Sequence, residues 1–332
     1  MTAISKTEKQ TTLSGIQPSG KLHIGNYLGA LRQFPELQSN YDAYFMIADE
    51  HSLTEDYEPA DKPAQILDVV AWFLAAGLNP RSSKIFLQSF VPEHAELTWI
   101  FSCVTPIGEL ERMTQYKDKA SRQTKNVNAG LFIYPILQAA DILLYKPLIV
   151  PIGEDQTQHL EFTRMIARRF NRRFGETFPE PRPRYTTVPR LMSFNDPLKK
   201  MSKSWPGGCI FLEDSPMVIA EKISRAVTDT SPTPGEMSPG VKNLFLLLKE
   251  FSDAATIKHF EKAHADGSIR YSNLKTALAK DIAKNLAPFQ KKYVTLIKQP
   301  KKLMAVLKSG SQKARRVAQK TLTEVKQKIG LP

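Results

Sequence analysis

Cysteine is almost missing from this chain: Cys103 and Cys209 are the only two in 332 residues. Two thiols so far apart build neither a disulfide framework nor a four-ligand zinc site. A reducing compartment is therefore expected. No apolar run approaches the roughly 20 residues that span a bilayer. Residues 1–10 are polar, with no apolar stretch of the signal-peptide kind, and no arginine precedes Arg32, which argues against a transit peptide. Membrane and secreted classes drop out, and a cytoplasmic location is expected. Acidic residues are also scarce, because 33 Asp and Glu face 46 Lys and Arg, a formal net charge of +13 with neutral His. An excess of that size calls for an anionic partner. What remains is a chain that is 42% hydrophobic and 24% charged, long enough for one large domain or two ordinary ones.

The positive charge is concentrated at one end. Residues 281–332 hold thirteen Lys or Arg against Asp281 and Glu324, a net of +11. Leu296, Leu303, Val306, Leu307, Val317, Leu322, Val325 and Ile329 recur there at helical spacing, which predicts basic amphipathic helices. The first 200 residues read differently, with short apolar runs alternating with helical patterns, as in a parallel α/β sheet. Residues 43–48 (AYFMIA) and 84–87 (KIFL) are predicted strands. Ile66, Val69, Val70, Phe73 and Leu74 mark one face of a helix between them, closed by Gly77 and Asn79-Pro80, so the three form a βαβ crossover. Further on, a helix is expected over 131–145, a strand over 148–152 and a helix over 156–170 with Asp155 as its N-cap. Pro and Gly thicken over 178–208, with two apparent loops around 179–181 and 204–208, and a domain junction is placed near Trp205.

Two segments have the composition of phosphate chemistry. Residues 14–29 (SGIQPSGKLHIGNYLG) place four glycines at a strand-to-helix turn, where a backbone approaches phosphate or adenine closely and a helix N-terminus offers free N–H donors. Residues 199–204 (KKMSKS) place lysines three apart in a serine-bearing loop. Such a loop makes a mobile cationic clamp for charge building on a departing pyrophosphate. Taken singly, an ordinary tight turn and a solvated loop explain each equally well. Together, H-I-G-N and K-M-S-K-S resemble the paired signature of class I aminoacyl-tRNA synthetases.

Residues 15–31 (GIQPSGKLHIGNYLGAL), 107–119 (IGELERMTQYKDK), 139–145 (AADILLY) and 150–161 (VPIGEDQTQHLE) narrow that likeness to bacterial tryptophanyl-tRNA synthetases, over almost the whole chain. The resemblance implies a Rossmann-like parallel-sheet catalytic domain over 1–205 and a mainly α-helical, basic tRNA- and anticodon-binding region over 206–332. It implies ATP, with Mg²⁺ held through the nucleotide phosphates and no resident metal site, and L-tryptophan and tRNA(Trp) as partners of a homodimer. Carried over residue by residue, Gln17, Pro18, Ser19, Gly25 and Asn26 match the N-terminal ATP site, and His23 matches the first signature histidine. Asn26 stands where the wider class has a second histidine, so that position can donate a hydrogen bond but cannot act as an acid. Gly153, Glu154 and Asp155 match the ribose side and Leu191 the adenine contact. Lys200, Met201, Ser202, Lys203 and Ser204 form the closing loop, with Lys200 and Lys203 catalytic beside His23. Lys117 and Lys119 match basic residues that reach pyrophosphate.

For the amino acid, the resemblance assigns the indole N–H acceptor to Asp141, the surroundings of the ammonium group to Tyr134 and Gln156, and the apolar wall to Val150 and Ile152. His51 matches a histidine near the pocket, although its sequence context reads as a loop. Gln138 replaces a methionine of several relatives, and Leu13 replaces an aromatic residue; both alter pocket shape. His94, His159, His259 and His264 receive no role. Tyrosyl specificity, a different nucleotidyltransferase of the same fold and a non-catalytic RNA-binding protein are the competing readings, separated by amino-acid-dependent pyrophosphate exchange.

Overall fold

The computed structural model describes residues 9–113, 127–186, 191–203, 205–229 and 236–332. Along the chain run β1 (Thr11–Ile16), α1 (Ile24–Gly29), α2 (Phe34–Asn40), β2 (Asp42–Ile47), α3 (Lys62–Ala75), β3 (Lys84–Leu87), α4 (Glu93–Ser102) and α5 (Ile107–Glu111). There follow α6 (Ala129–Leu143), β4 (Ile149–Ile152), α7 (Thr157–Phe174), β5 (Arg182–Tyr185), α8 (Pro216–Ser224), α9 (Pro239–Phe251), α10 (Ala254–Ala265), α11 (Tyr271–Ile297) and α12 (Pro300–Ile329).

The five strands form one parallel sheet in the order β3-β2-β1-β4-β5. A parallel sheet needs helical crossovers that cover both faces, so its inner strands are apolar throughout. β2 shows this, being buried from Ala43 to Ile47. The expected β2–α3–β3 crossover is present, with Val69, Val70 and Phe73 of α3 buried. The order reverses between β1 and β4, which share only the Thr12–Ile149 pair. Beyond that pair the two strands part, and the gap at their C-terminal ends is where ligands bind in open sheets of this kind.

Two sequence expectations are corrected, and one strand is added to those expected. The helix after β4 starts at Thr157 with Gln156 at the N-cap position and no side-chain cap, so Asp155 does not cap it and lies in a 3-10 turn, Glu154–Gln156. Residues 182–185 (RPRY), for which the sequence predicts no element, form β5; an edge strand leaves one side unpaired and so tolerates Pro183. Val317 is 37% exposed instead of packed. On α12 the buried stripe runs through Leu303, Leu307, Gly310, Ser311, Ala314, Ala318, Leu322 and Val325, and small residues at its centre let the helix lie directly on β3. A Cβ on Gly310 would stand 1.8 Å from the Ile85 carbonyl oxygen. Leu87 N–H donates to Ser311 Oγ at 3.2 Å.

By internal contacts the described chain separates into two compact units, residues 1–19, 33–186 and 296–332 in the first, and 20–32 and 187–295 in the second. This partition does not follow the 1–205 and 206–332 boundary. Apolar packing of α12 on β3 assigns the basic C-terminal helix to the sheet unit, and backbone pairing assigns the H-I-G-N turn to the other. In the second unit Ile24 N–H donates to Ile210 O and Leu212 N–H to Leu22 O. Around them α8 to α11 pack through Ile219, Leu244, Leu248, Leu274 and Ile282. Among the described residues no helix is long and apolar enough to cross a membrane.

Candidate active site

The sheet unit holds a cavity of about 290 Å³ where β1 and β4 part. Its floor comes from β1 and β4: Leu13, Gly15, Val150 and Ile152 line it because those stretches are unpaired with each other. At Gly15 a Cβ would meet the Met46 carbonyl oxygen at 3.3 Å, a tight contact that a glycine avoids. One wall is α6, where Tyr134, Gln138 and Asp141 at i, i+4 and i+7 share a face. Gln156, after β4, and His51, after β2, complete it. All seven residues that resemblance assigned to tryptophan thus line one space. So do Gln17 and His159, the latter given no role from sequence.

Asp141 is the anion of this site and is 1% exposed. A buried carboxylate survives only if donors satisfy it. Gln88 Nε2 donates to Oδ1 at 2.8 Å, His94 Nδ1 meets the same oxygen at 2.6 Å, and His51 Nε2 meets Oδ2 at 2.7 Å. Burial by itself would raise its pKa, but His51 and His94 together outweigh that and hold the carboxyl below its usual range. It therefore stays ionised at neutral pH. Tyr134 donates to or accepts from His159 Nε2 at 2.9 Å, and burial pushes its phenol up to about 12, so it stays protonated. Gln17 Nε2 is buried without a partner among the described residues. The sequence context of His51 and His94 carried no sign of these contacts, because both partners lie far away in the chain.

The second unit contains a different chemistry. His23 occupies the N-cap of α1, where its Nδ1 accepts from Gly25 N–H at 3.0 Å and Asn26 Oδ1 accepts from His23 N–H at 3.0 Å. With Nδ1 accepting, the ring proton is on Nε2. Burial, then Lys203 and Lys200, lowers the His23 pKa from 6.5 to about 4, so the imidazole is a neutral N–H donor at pH 7. Gly25 leaves room for the ring, since a Cβ would lie 2.7 Å from His23 Cε1. Lys203 Nζ donates to Gly20 O at 3.4 Å, which ties the lysine loop to the turn, and Met201 N–H donates to Leu191 O at 3.0 Å. Leu191 and Met201 are buried beside it. A neutral donor with two lysines within electrostatic reach is an arrangement whose chemistry suits an anion.

Other assigned residues are scattered between the units. Gly153, Glu154 and Asp155 end β4 in the sheet unit, with both carboxylates exposed. Pro18, in the same unit, accepts from Lys62 Nζ at 3.3 Å through its carbonyl, and Ser19 follows it. Ser202 sits in the lysine loop of the second unit. Lys117, Lys119 and Ser204 lie outside the described residues.

A family model described as class I tRNA synthetases (W and Y) matches residues 5–287. A tryptophan--tRNA ligase of Caldanaerobacter subterraneus is 45% identical, over 96% of this chain and 97% of that one. The crystal structure of the tryptophanyl-tRNA synthetase from Campylobacter jejuni, complexed with ADP and tryptophan, superposes with a TM-score of 0.83 at 36% identity. It covers 97% of this chain and 100% of that one. The tryptophanyl-tRNA synthetase structure from Mycoplasma pneumoniae gives 0.86 at 34% identity, covering 98% of each. The parallel sheet, the paired signature segments and this full-length likeness together place the chain in the class I tRNA synthetases of the tryptophan and tyrosine branch, among the bacterial tryptophan--tRNA ligases.

Proposed function

We propose that this chain attaches L-tryptophan to tRNA(Trp) at the expense of ATP. An oxygen of the tryptophan carboxylate attacks the α-phosphorus, the bond to the β-phosphate breaks, and pyrophosphate leaves. The terminal ribose hydroxyl of tRNA then attacks the activated carbonyl, and AMP leaves. Neither step requires a protein nucleophile, so the protein's work is orientation and charge stabilisation.

The observation that carries this reading is Asp141, an ionised carboxylate buried in a cavity with apolar walls and three donors already in place. A carboxylate has about four acceptor positions, so one remains, which suits a single N–H such as that of indole. Val150 and Ile152 flank the ring, while Tyr134, Gln156 and Gln138 stand around the ammonium group and the ring edge. His51 holds Oδ2 on the cavity side. In the second unit His23 Nε2–H, Lys200 and Lys203 oppose the charge that builds on the phosphates, with Gly25, Asn26, Ser202 and Ser204 around them and Leu191 and Met201 on adenine. Gly153, Glu154 and Asp155 accept from ribose hydroxyls, and Gln17, Pro18 and Ser19 complete the nucleotide contacts, with Lys117 and Lys119 on pyrophosphate. Mg²⁺, held through the nucleotide phosphates, would supply neutralisation of their charge.

The basic 206–332 region binds the tRNA polyanion by displacing its counterions, and the active form is a cytoplasmic homodimer. Pyrophosphate exchange into ATP, run separately with tryptophan, tyrosine and phenylalanine, tests the proposal. Exchange with tryptophan alone is expected. Exchange with tyrosine would overturn the reading of Asp141, and no exchange with any of them would overturn the activity.

A further inference from the structure

Behind Asp141 lies a buried relay that no assigned role uses. His94, fully buried at the start of α4, meets Asp141 Oδ1 through Nδ1 at 2.6 Å and Tyr145 Oη through Nε2 at 2.8 Å. Tyr145 is 3% exposed, and His94 is its hydroxyl's partner among the described residues. A buried hydroxyl left without an acceptor is costly, so Tyr145 O–H donates to Nε2. The ionised carboxylate only accepts, so Nδ1 carries the proton. Tyr145 thereby fixes the tautomer of His94, as a partner on the far nitrogen does in metal sites. Aromatic packing holds both rings in place: Phe86 lies 6.0 Å from His94 and 5.5 Å from Tyr145, and Tyr44 lies 4.5 Å from Tyr145, between centroids.

The two oxygens of Asp141 have different surroundings. Oδ1 faces Gln88 and His94, neither of which lines the cavity, while Oδ2 faces His51, which does. Two donors on Oδ1 fix the carboxylate plane. Without His94, Gln88 would be the one donor left on Oδ1 and His51 the one on Oδ2, so the plane of the carboxylate would be held less tightly. We infer that His94 and Tyr145 are positioning residues for amino-acid selection, holding Asp141 so that the open acceptor site of Oδ2 points at a ring N–H in the cavity. This rests on the reading of that cavity as the tryptophan site.

The test is pyrophosphate exchange with tryptophan and with 3-(benzothiophen-3-yl)alanine, which has sulfur where indole has N–H. The quantity read is the ratio of kcat/KM for the two substrates, in the wild type and in Tyr145→Phe, His94→Asn and His94→Leu, each checked for its melting transition. Asn places an amide N–H near the position of Nδ1, whereas Leu offers no donor. His94→Leu is expected to reduce the ratio by about ten- to a hundredfold, the effect of losing one hydrogen bond to a charged group. Tyr145→Phe is expected to reduce it about three- to tenfold by freeing the tautomer. His94→Asn is expected to restore most of the loss. A wild type that does not prefer tryptophan over the sulfur analogue would refute the reading of Asp141 itself. A wild type that does prefer it, with a ratio unchanged within about twofold in His94→Leu, or with no recovery in His94→Asn, would overturn the positioning role.

Discussion

Replacing Asp141 by Asn probes the centre of the site with little change of shape. In the native arrangement Oδ1 accepts from Gln88 and His94 and Oδ2 faces His51. Asn has one acceptor oxygen. If that oxygen takes the Oδ1 position, its NH₂ points toward His51 and the cavity, where the substrate also brings an N–H. If it takes the Oδ2 position, the NH₂ confronts the donors of Gln88 and His94. Either way one buried donor is left opposite another. Losing a charge-assisted acceptor costs about 1.5–3 kcal/mol, and an unpaired buried donor adds about 1–3 kcal/mol. The sum of about 2.5–6 kcal/mol corresponds to a drop of about 10² to 10⁴ in kcat/KM for tryptophan. The ATP phosphates are assigned to residues of the other unit, so the KM for ATP should change by less than about threefold. Pyrophosphate exchange at saturating and limiting tryptophan measures both. A fall of less than tenfold for tryptophan, or an equal loss for ATP, would refute the reasoning.

Two further outcomes follow from single atoms. Gly310→Ala puts a methyl group where the Ile85 carbonyl oxygen stands 1.8 Å away, so α12 must lift from β3. The expected cost is at or above the upper end of the usual 1–3 kcal/mol for overpacking, read as a lower urea midpoint at unchanged slope; an unchanged midpoint would show that α12 does not rest on β3. His23 should titrate at about 4 in the free protein, by NMR of ring-labelled histidine. Because its folded pKa lies below the ordinary 6.5, the neutral ring contributes stability that is present above 6.5 and fades as pH falls through about 4. Lys203→Met should raise that pKa without restoring 6.5, since burial is the larger cause; a His23 pKa near 6.5 in the unmodified protein would contradict the buried, lysine-flanked geometry.

Much of this molecule was legible in its residues, for reasons that are local. Strand β3 declares itself through a short apolar run and helix α3 through apolar periodicity, while the glycine-rich turn and lysine loop are informative only as a pair, since each alone has an ordinary explanation. Tyr134, Gln138 and Asp141 share a face simply because a helix repeats every 3.6 residues. Resemblance supplied the assignment to tryptophan, and the fold brings those seven residues to one cavity. What sequence reasoning missed was long-range. β5 is a strand because an edge tolerates its proline, and Asp155 is not a cap because the chain makes a 3-10 turn before α7.

The sequence by itself determined the fold class, the absence of disulfide and membrane-helix solutions, and the chemical character of the two signature segments, since these depend on composition and on spacing along the chain. Tertiary structure decided which groups share the buried carboxylate. Gln88, His94 and His51 come from the turn after β3, the start of α4 and the turn after β2, separated from Asp141 by tens of residues, and only assembly of the parallel sheet with its helices brings them within hydrogen-bond distance. Burial then turns that proximity into function, because a carboxylate taken out of water is held ionised and oriented by whichever donors the fold has placed around it.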